Sequence, residues 1–171
     1  MLVFVTVGST RFDALVQAVL SDRVLAALSQ AGCTAVVVQC GNSHFAHTHS
    51  IQNGETLNTQ QQNVTIEMYK FKPSLDSDYE RADMVISHAG SGTILDVLRL
   101  GKPLIVVPNP TLLDNHQEEL ATALEELGHL RSSTVPGLAR TIEEFDRAAI
   151  VEFPPLDPSR FRRLLDEEMG F

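Results

Sequence analysis

Residues 84–96 read Met84-Val85-Ile86-Ser87-His88-Ala89-Gly90-Ser91-Gly92-Thr93-Ile94-Leu95-Asp96. An apolar run stops at Ser87-His88 and gives way to glycines, so the stretch predicts a strand, a glycine loop and then a helix. Glycine lets a backbone approach a ligand closely. A helix start adds unpaired N–H groups and the positive end of a dipole, which together suit a phosphate. Asp96, about one turn into the helix, is placed to accept hydrogen bonds from a sugar hydroxyl. Further on stands Asn115-His116-Gln117, a second polar cluster after a second apolar run. These features outline a pocket for a nucleotide or a nucleotide sugar.

Outward from this stretch, residues 2–8 form a β-branched apolar run ending at Gly8-Ser9-Thr10. From Phe12, apolar residues recur at Leu15, Val16, Val19, Leu20, Val24, Leu25 and Leu28, the spacing of one amphipathic helix of about four to five turns. Thr34–Cys40 and Val64–Met68 read as strands, Leu75–Ala82 as a short helix, and Leu104–Val107 as another strand. Asp114–Leu127 and Val135–Ala148 read as helices, and residues 41–63 as a long polar loop. Strands without clean alternation, separated by helices, imply a parallel sheet covered on both faces. Ligands of such sheets bind beyond the carboxyl ends of the strands, where Gly8-Ser9-Thr10, His88–Thr93 and Pro108–Gln117 all fall. The chain divides into a domain over residues 1–153 and an appended helix over 154–171. That helix opens with Pro154-Pro155 and Asp157-Pro158 and carries an apolar stripe of Phe161, Leu164 and Leu165.

The 171 residues are enough for one domain with a substantial core. A net charge of −9, without any concentration of Lys and Arg, argues against a nucleic-acid partner. No apolar run approaches the roughly 20 residues that span a bilayer. Met1–Val7 lacks a basic leader and reads as a strand rather than a signal peptide. Cys33 and Cys40 read as reduced thiols, consistent with a cytoplasmic location.

Three motifs in order carry a resemblance: Thr6-Val7-Gly8-Ser9-Thr10, Ser87–Thr93, and Gly101-Lys102-Pro103 to Pro108 leading into Leu113-Asp114-Asn115-His116-Gln117. They resemble the donor-binding, C-terminal half of GT-B glycosyltransferases, a Rossmann-like domain with helices on both faces. The nearest likeness is to the family of small cytosolic subunits of the eukaryotic UDP-GlcNAc transferase. That enzyme adds the second GlcNAc to dolichyl-diphosphate-GlcNAc for N-glycosylation. The bacterial lipid II GlcNAc transferase is a more distant likeness. The resemblance implies that Asp96 binds the ribose hydroxyls, and that Gly8, Ser9 and Thr10 face the pyrophosphate. Gly90, Ser91, Gly92 and Thr93 meet the α-phosphate side, with His88 at the head of their loop. Phe71 and Lys72 hold uracil, largely through backbone groups, and Asn115, His116 and Gln117 contact the GlcNAc hydroxyls. It further implies an inverting transferase whose general base and acceptor site lie in a separate, membrane-anchored subunit. This chain is then recruited to the cytosolic face of the endoplasmic reticulum. No cofactor and no metal are expected, since fixed dipoles stabilise the departing UDP.

Plainer roles stand beside these. Ser9 and Thr10 suit an N-cap for the helix at Phe12, and Asp96 suits a solvated acid on a helix. His88 suits a hydrogen-bonded loop residue, and Asn115 and Gln117 suit a helix start. Asp76-Ser77-Asp78 resembles an acidic metal pair, and His44, His47 and His49 have zinc-like spacing, but helix-start acids and a polar loop explain both. Two other functions remain open on these residues: a stand-alone UDP-sugar hydrolase or epimerase, and a non-catalytic nucleotide-binding scaffold.

Overall fold

A computed structural model of the chain describes residues 1–52, 54–111 and 116–155. Seven strands form one sheet in the order β3-β4-β2-β1-β5-β6-β7. The strands are β1 (Leu2–Thr6), β2 (Ala35–Gln39), β3 (Thr56–Gln61), β4 (Val64–Tyr69), β5 (Met84–His88), β6 (Leu104–Val107) and β7 (Arg131–Ser132). The helices are α1 (Asp13–Val19), α2 (Asp22–Gln30), α3 (Asp76–Arg81), α4 (Ser91–Arg99), α5 (His116–Glu126) and α6 (Leu138–Glu143). All strand pairs are parallel except β3 with β4, which is antiparallel.

Alternate residues of each central strand feed two cores. Val3, Val5, Val36, Val38 and Ile105 pack with Leu15, Val19, Leu28 and Leu138 of α1, α2 and α6. Phe4, Val37, Val85 and Val106 pack with Tyr79, Ile94, Val97 and Ala121 of α3, α4 and α5. Both faces are therefore apolar, which is why the strands read as continuous hydrophobic runs.

Three expectations change. The single helix from Phe12 is two helices, because Ser21 adopts an extended conformation (φ −74°, ψ 149°) and its Oγ accepts from Val24 N at 3.4 Å, starting α2 afresh. The polar stretch 41–63 is not all loop: residues 56–61 add β3 to the sheet, so the sheet is not wholly parallel. The helix expected over Val135–Ala148 shrinks to α6 and a 3-10 turn at Arg147–Ala149, and β7 precedes it. Of the appended helix, only Pro154 and Pro155 fall within the described residues.

The six parallel strands run β4-β2-β1-β5-β6-β7 across the sheet. The chain winds outward from β1 through β2 to β4, then returns to the other side of β1 with β5. That reversal makes a switch point between β1 and β5, and in open α/β sheets the crevice at such a point receives the ligand.

Candidate functional site

The glycine-loop residues gather at this switch point. Gly8 follows β1, with φ +61°. His88 ends β5, and its ring lies against both Gly8 and Gly90. Gly90 is the N-cap of α4 and supplies no side-chain cap, while Ile94 N bonds Gly90 O at 3.0 Å. The N–H groups of Ser91, Gly92 and Thr93 thus begin the helix without intrahelical acceptors, as the first turn of any helix must. Ser91 and Gly92 are exposed. A Cβ on Gly92 would meet nothing within 4 Å, and its φ is not positive. Glycine in a helix costs about 0.5–1 kcal/mol relative to alanine, so neither sterics nor backbone conformation accounts for it.

Ser9 and Thr10 do not cap α1. Its N-cap is Phe12, and Phe12 N donates instead to Ser43 Oγ at 3.0 Å. Thr10 Oγ1 donates to Val7 O at 2.6 Å and closes its own turn, whereas Ser9 is exposed. Thr93 is half-buried; its hydroxyl, at the Tyr79 phenol, lowers the pKa that burial of that phenol raises more strongly. Asp96 lies on an exposed face of α4, close enough to Tyr79 to raise that same pKa. Burial pushes the His88 imidazole below its ordinary value, with the Thr6 main chain opposing, so the ring is neutral at neutral pH.

The loop after β4 is held from beneath. Asp78 is buried and accepts from Tyr69 Oη at 2.6 Å and from Lys72 Nζ at 2.8 Å, while that ammonium sits 4.0 Å from the Tyr69 ring centroid. The Lys72 side chain is thus committed to the protein, and the neighbouring Phe71 ring is exposed. Asp78 and Asp76 have separate partners, Asp76 taking the Ser74 hydroxyl at 2.6 Å. Among the described residues no group of three His, Cys, Asp or Glu comes together.

One residue escaped the sequence reading. Gln39, at the end of β2, is buried; its Nε2 donates to Gly8 O at 2.9 Å and to Lys70 O at 2.8 Å. Its Oε1 accepts from Thr6 Oγ1 at 2.6 Å, and that hydroxyl accepts from Gly8 N at 3.1 Å. Gln39 therefore ties the loop after β1 to the loop after β4. The only signal in the sequence was an amide closing a strand of valines.

At the other side of the crevice, Gln117 Oε1 accepts from Asn109 N at 3.3 Å, and His116 is exposed on the first turn of α5. Asn115 lies outside the described residues. A cavity of about 610 Å³ opens here, lined by Asn109, Gln117, Ser133, Thr134, Arg140 and Thr141. It reaches Gln117 but not the glycine loops. Among the described residues no helix is long and apolar enough to cross a membrane.

The profile of the glycosyltransferase family 28 C-terminal domain matches residues 2–153. The chain is 40% identical over 145 residues to a human protein named UDP-N-acetylglucosamine transferase subunit ALG13, covering 82% of this chain and 12% of that protein. It is 35% identical over 194 residues to the Saccharomyces cerevisiae protein of the same name, covering 96% and 94%. It spans only about a tenth of the human relative and nearly all of the yeast one. A solution structure of ALG13 superposes with a TM-score of 0.67 at 29% identity, covering 96% of this chain and 94% of that one.

Proposed function

The chain belongs to the glycosyltransferase family 28 C-terminal domain family, and from that premise we propose that it is the UDP-GlcNAc-binding subunit of a two-subunit N-acetylglucosaminyltransferase. The acceptor is dolichyl-diphosphate-GlcNAc, presented by a membrane-anchored partner that also carries the general base. The observation that carries this reading is the start of α4, where N–H groups without a side-chain cap meet an exposed Gly92 whose missing side chain nothing among the described residues explains. Such a start receives a diphosphate.

In the reaction, the acceptor hydroxyl displaces UDP from the anomeric carbon with inversion. Negative charge grows on the departing diphosphate, and the α4 N–H groups and helix dipole stabilise it without reorganising. Fixed dipoles there remove the need for a metal ion. Asp96 takes the ribose hydroxyls, the loop after β4 takes the uracil, and the start of α5 takes the sugar. The membrane-anchored partner holds the complex at the cytosolic face of the endoplasmic reticulum.

Calorimetry with UDP on the purified chain tests the donor half. Asp96→Ala weakens binding by about 1–3 kcal/mol, the range for a charged hydrogen bond, with unchanged folding because Asp96 is exposed. Unaltered UDP affinity rules out the ribose role. Turnover of UDP-GlcNAc by the chain alone points instead to a hydrolase or epimerase, and absence of any UDP binding points to a scaffold.

A further inference from the structure

His88 closes β5 beside β1, at the switch point of the sheet, with 6% of its surface exposed. Its ring fills the gap between the loops that follow these two strands. A Cβ on Gly8 would stand 2.8 Å from Cε1 and 3.3 Å from Nε2. A Cβ on Gly90 would overlap Nε2 and stand 3.0 Å from Cε1. The two glycines, on loops distant in the chain, lie against one imidazole and leave no room for a side chain.

Gly8 has a second reason to be glycine, its positive φ. Gly90 has none. Its φ of −77° and ψ of 126° suit any residue, and as an N-cap it gives up the side-chain acceptor that Ser, Thr, Asp or Asn would supply. Among the described residues, the feature that requires glycine at position 90 is the His88 ring. Its Nδ1 is buried without a hydrogen-bond partner among the described residues, so packing between the two loops is what chiefly fixes the ring.

We infer that His88 is a positioning residue, whose imidazole sets the separation of the loops after β1 and β5 and makes glycine obligatory at position 90. A displacement at either loop is felt at the other through the shared ring, because close-packed interiors transmit small displacements. The consequence for ligand binding rests on the reading of these loops as a diphosphate cradle. The steric coupling between His88 and Gly90 does not depend on that reading.

The test is a double-mutant cycle on the full chain, with UDP and uridine as probes and a melting curve for each variant. Gly90→Ala lowers UDP affinity by at least about tenfold, the loss that one displaced hydrogen bond to a charged group causes. His88→Ser, which leaves the loops unspaced, lowers it by about tenfold as well. In the His88→Ser background the added Gly90→Ala change is silent, so the double variant matches His88→Ser within about twofold. Uridine, which lacks the diphosphate, binds all four proteins alike. Losses that multiply, or equal losses for uridine and UDP, overturn the inference. Melting temperatures follow the same cycle: Gly90→Ala lowers Tm in the parent and not beside His88→Ser, and additive shifts overturn the coupling. Should the parent bind no UDP, the donor reading falls, and the melting cycle alone still decides whether His88 and Gly90 are coupled.

Discussion

At the β2–β4 end of the crevice, buried Gln39 makes three hydrogen bonds of 2.6–2.9 Å that join Thr6, Gly8 and Lys70, and buried Asp78 anchors Tyr69 and Lys72 below the next loop. At the β6–α5 end, Gln117 contributes one 3.3 Å bond to Asn109 N, and His116 faces Glu119 at 3.6 Å with both side chains mostly in solvent. The contrast separates two tasks. A rigid ligand portion, a base with its diphosphate, gains from loops preset before binding, because no ordering cost remains to be met. The end beside the 610 Å³ cavity presets little and leaves room. It suits the portion of the ligand that must also be reached by a second reactant.

The largest effect expected from this contrast is at Gln39. Gln39→Leu keeps the volume but leaves the Gly8 carbonyl without its side-chain donor and the Thr6 hydroxyl proton without its acceptor, while Lys70 O keeps its bond from Gly41 N at 3.1 Å. The two orphaned groups cost about 1–3 kcal/mol each, and with partial repair by water the variant loses about 2–3 kcal/mol of stability in urea unfolding. Gln117→Leu, half-buried with one long bond, loses less than about 1 kcal/mol. Equal losses at the two glutamines would erase the distinction between the ends.

How much of this was legible depended on how local the cause is. The Met84–Ile86 run, the glycine loop and the Leu104–Val107 strand could be read because an apolar β-branched run needs only its neighbours to declare itself. Thr56–Gln61 could not, since an edge strand exposed on both faces carries no apolar alternation. The break at Ser21 was hidden by hydrophobic spacing that continues across it, although its hydroxyl signals a cap. Site residues on the loops were legible as glycine and polar clusters. Gln39 was not, because its partners are main-chain carbonyls supplied by two other strands. The reason for glycine at 90 was hidden in the same way: the space is already filled by His88, and Gly8 backs that ring from 80 residues away.

A smaller effect at the preset end appears on acidification. Burial holds the His88 pKa below its ordinary 6.5, so the unfolded chain takes up this proton first as pH falls. The stability associated with neutral His88 is complete above about pH 6.5 and is lost as pH drops from there through the lower folded value. Asp13, bonded to Arg11, and Asp22, bonded to Gln62 and Gln61, also have lowered pKa values, but they lose their contribution only below the ordinary carboxylate value of 3.8. As pH falls below about 6.5, therefore, the parent melts progressively lower, while His88→Asn shows a flatter profile above the carboxylate range. Identical profiles for the two proteins would assign the acid sensitivity to other groups.

The smallest stability effect belongs to the other end. His116 and Glu119 keep 84% and 73% of their side-chain surface exposed, and exposed pairs contribute about 0–1 kcal/mol. His116→Ala should therefore unfold within about 0.5 kcal/mol of the parent. Near-silence in stability is what makes the position informative for binding. A residue that holds nothing in the fold and stands at the start of α5, next to Gln117 and the cavity, is free to meet the sugar. The expected outcome is an unchanged affinity for UDP together with a loss of the affinity difference between UDP-GlcNAc and UDP. Calorimetry with the two ligands reads both quantities on one sample. An equal fall for UDP and UDP-GlcNAc would mean that His116 shapes the whole crevice, and the division between a preset end and an open end would have to be redrawn to include α5 on the preset side.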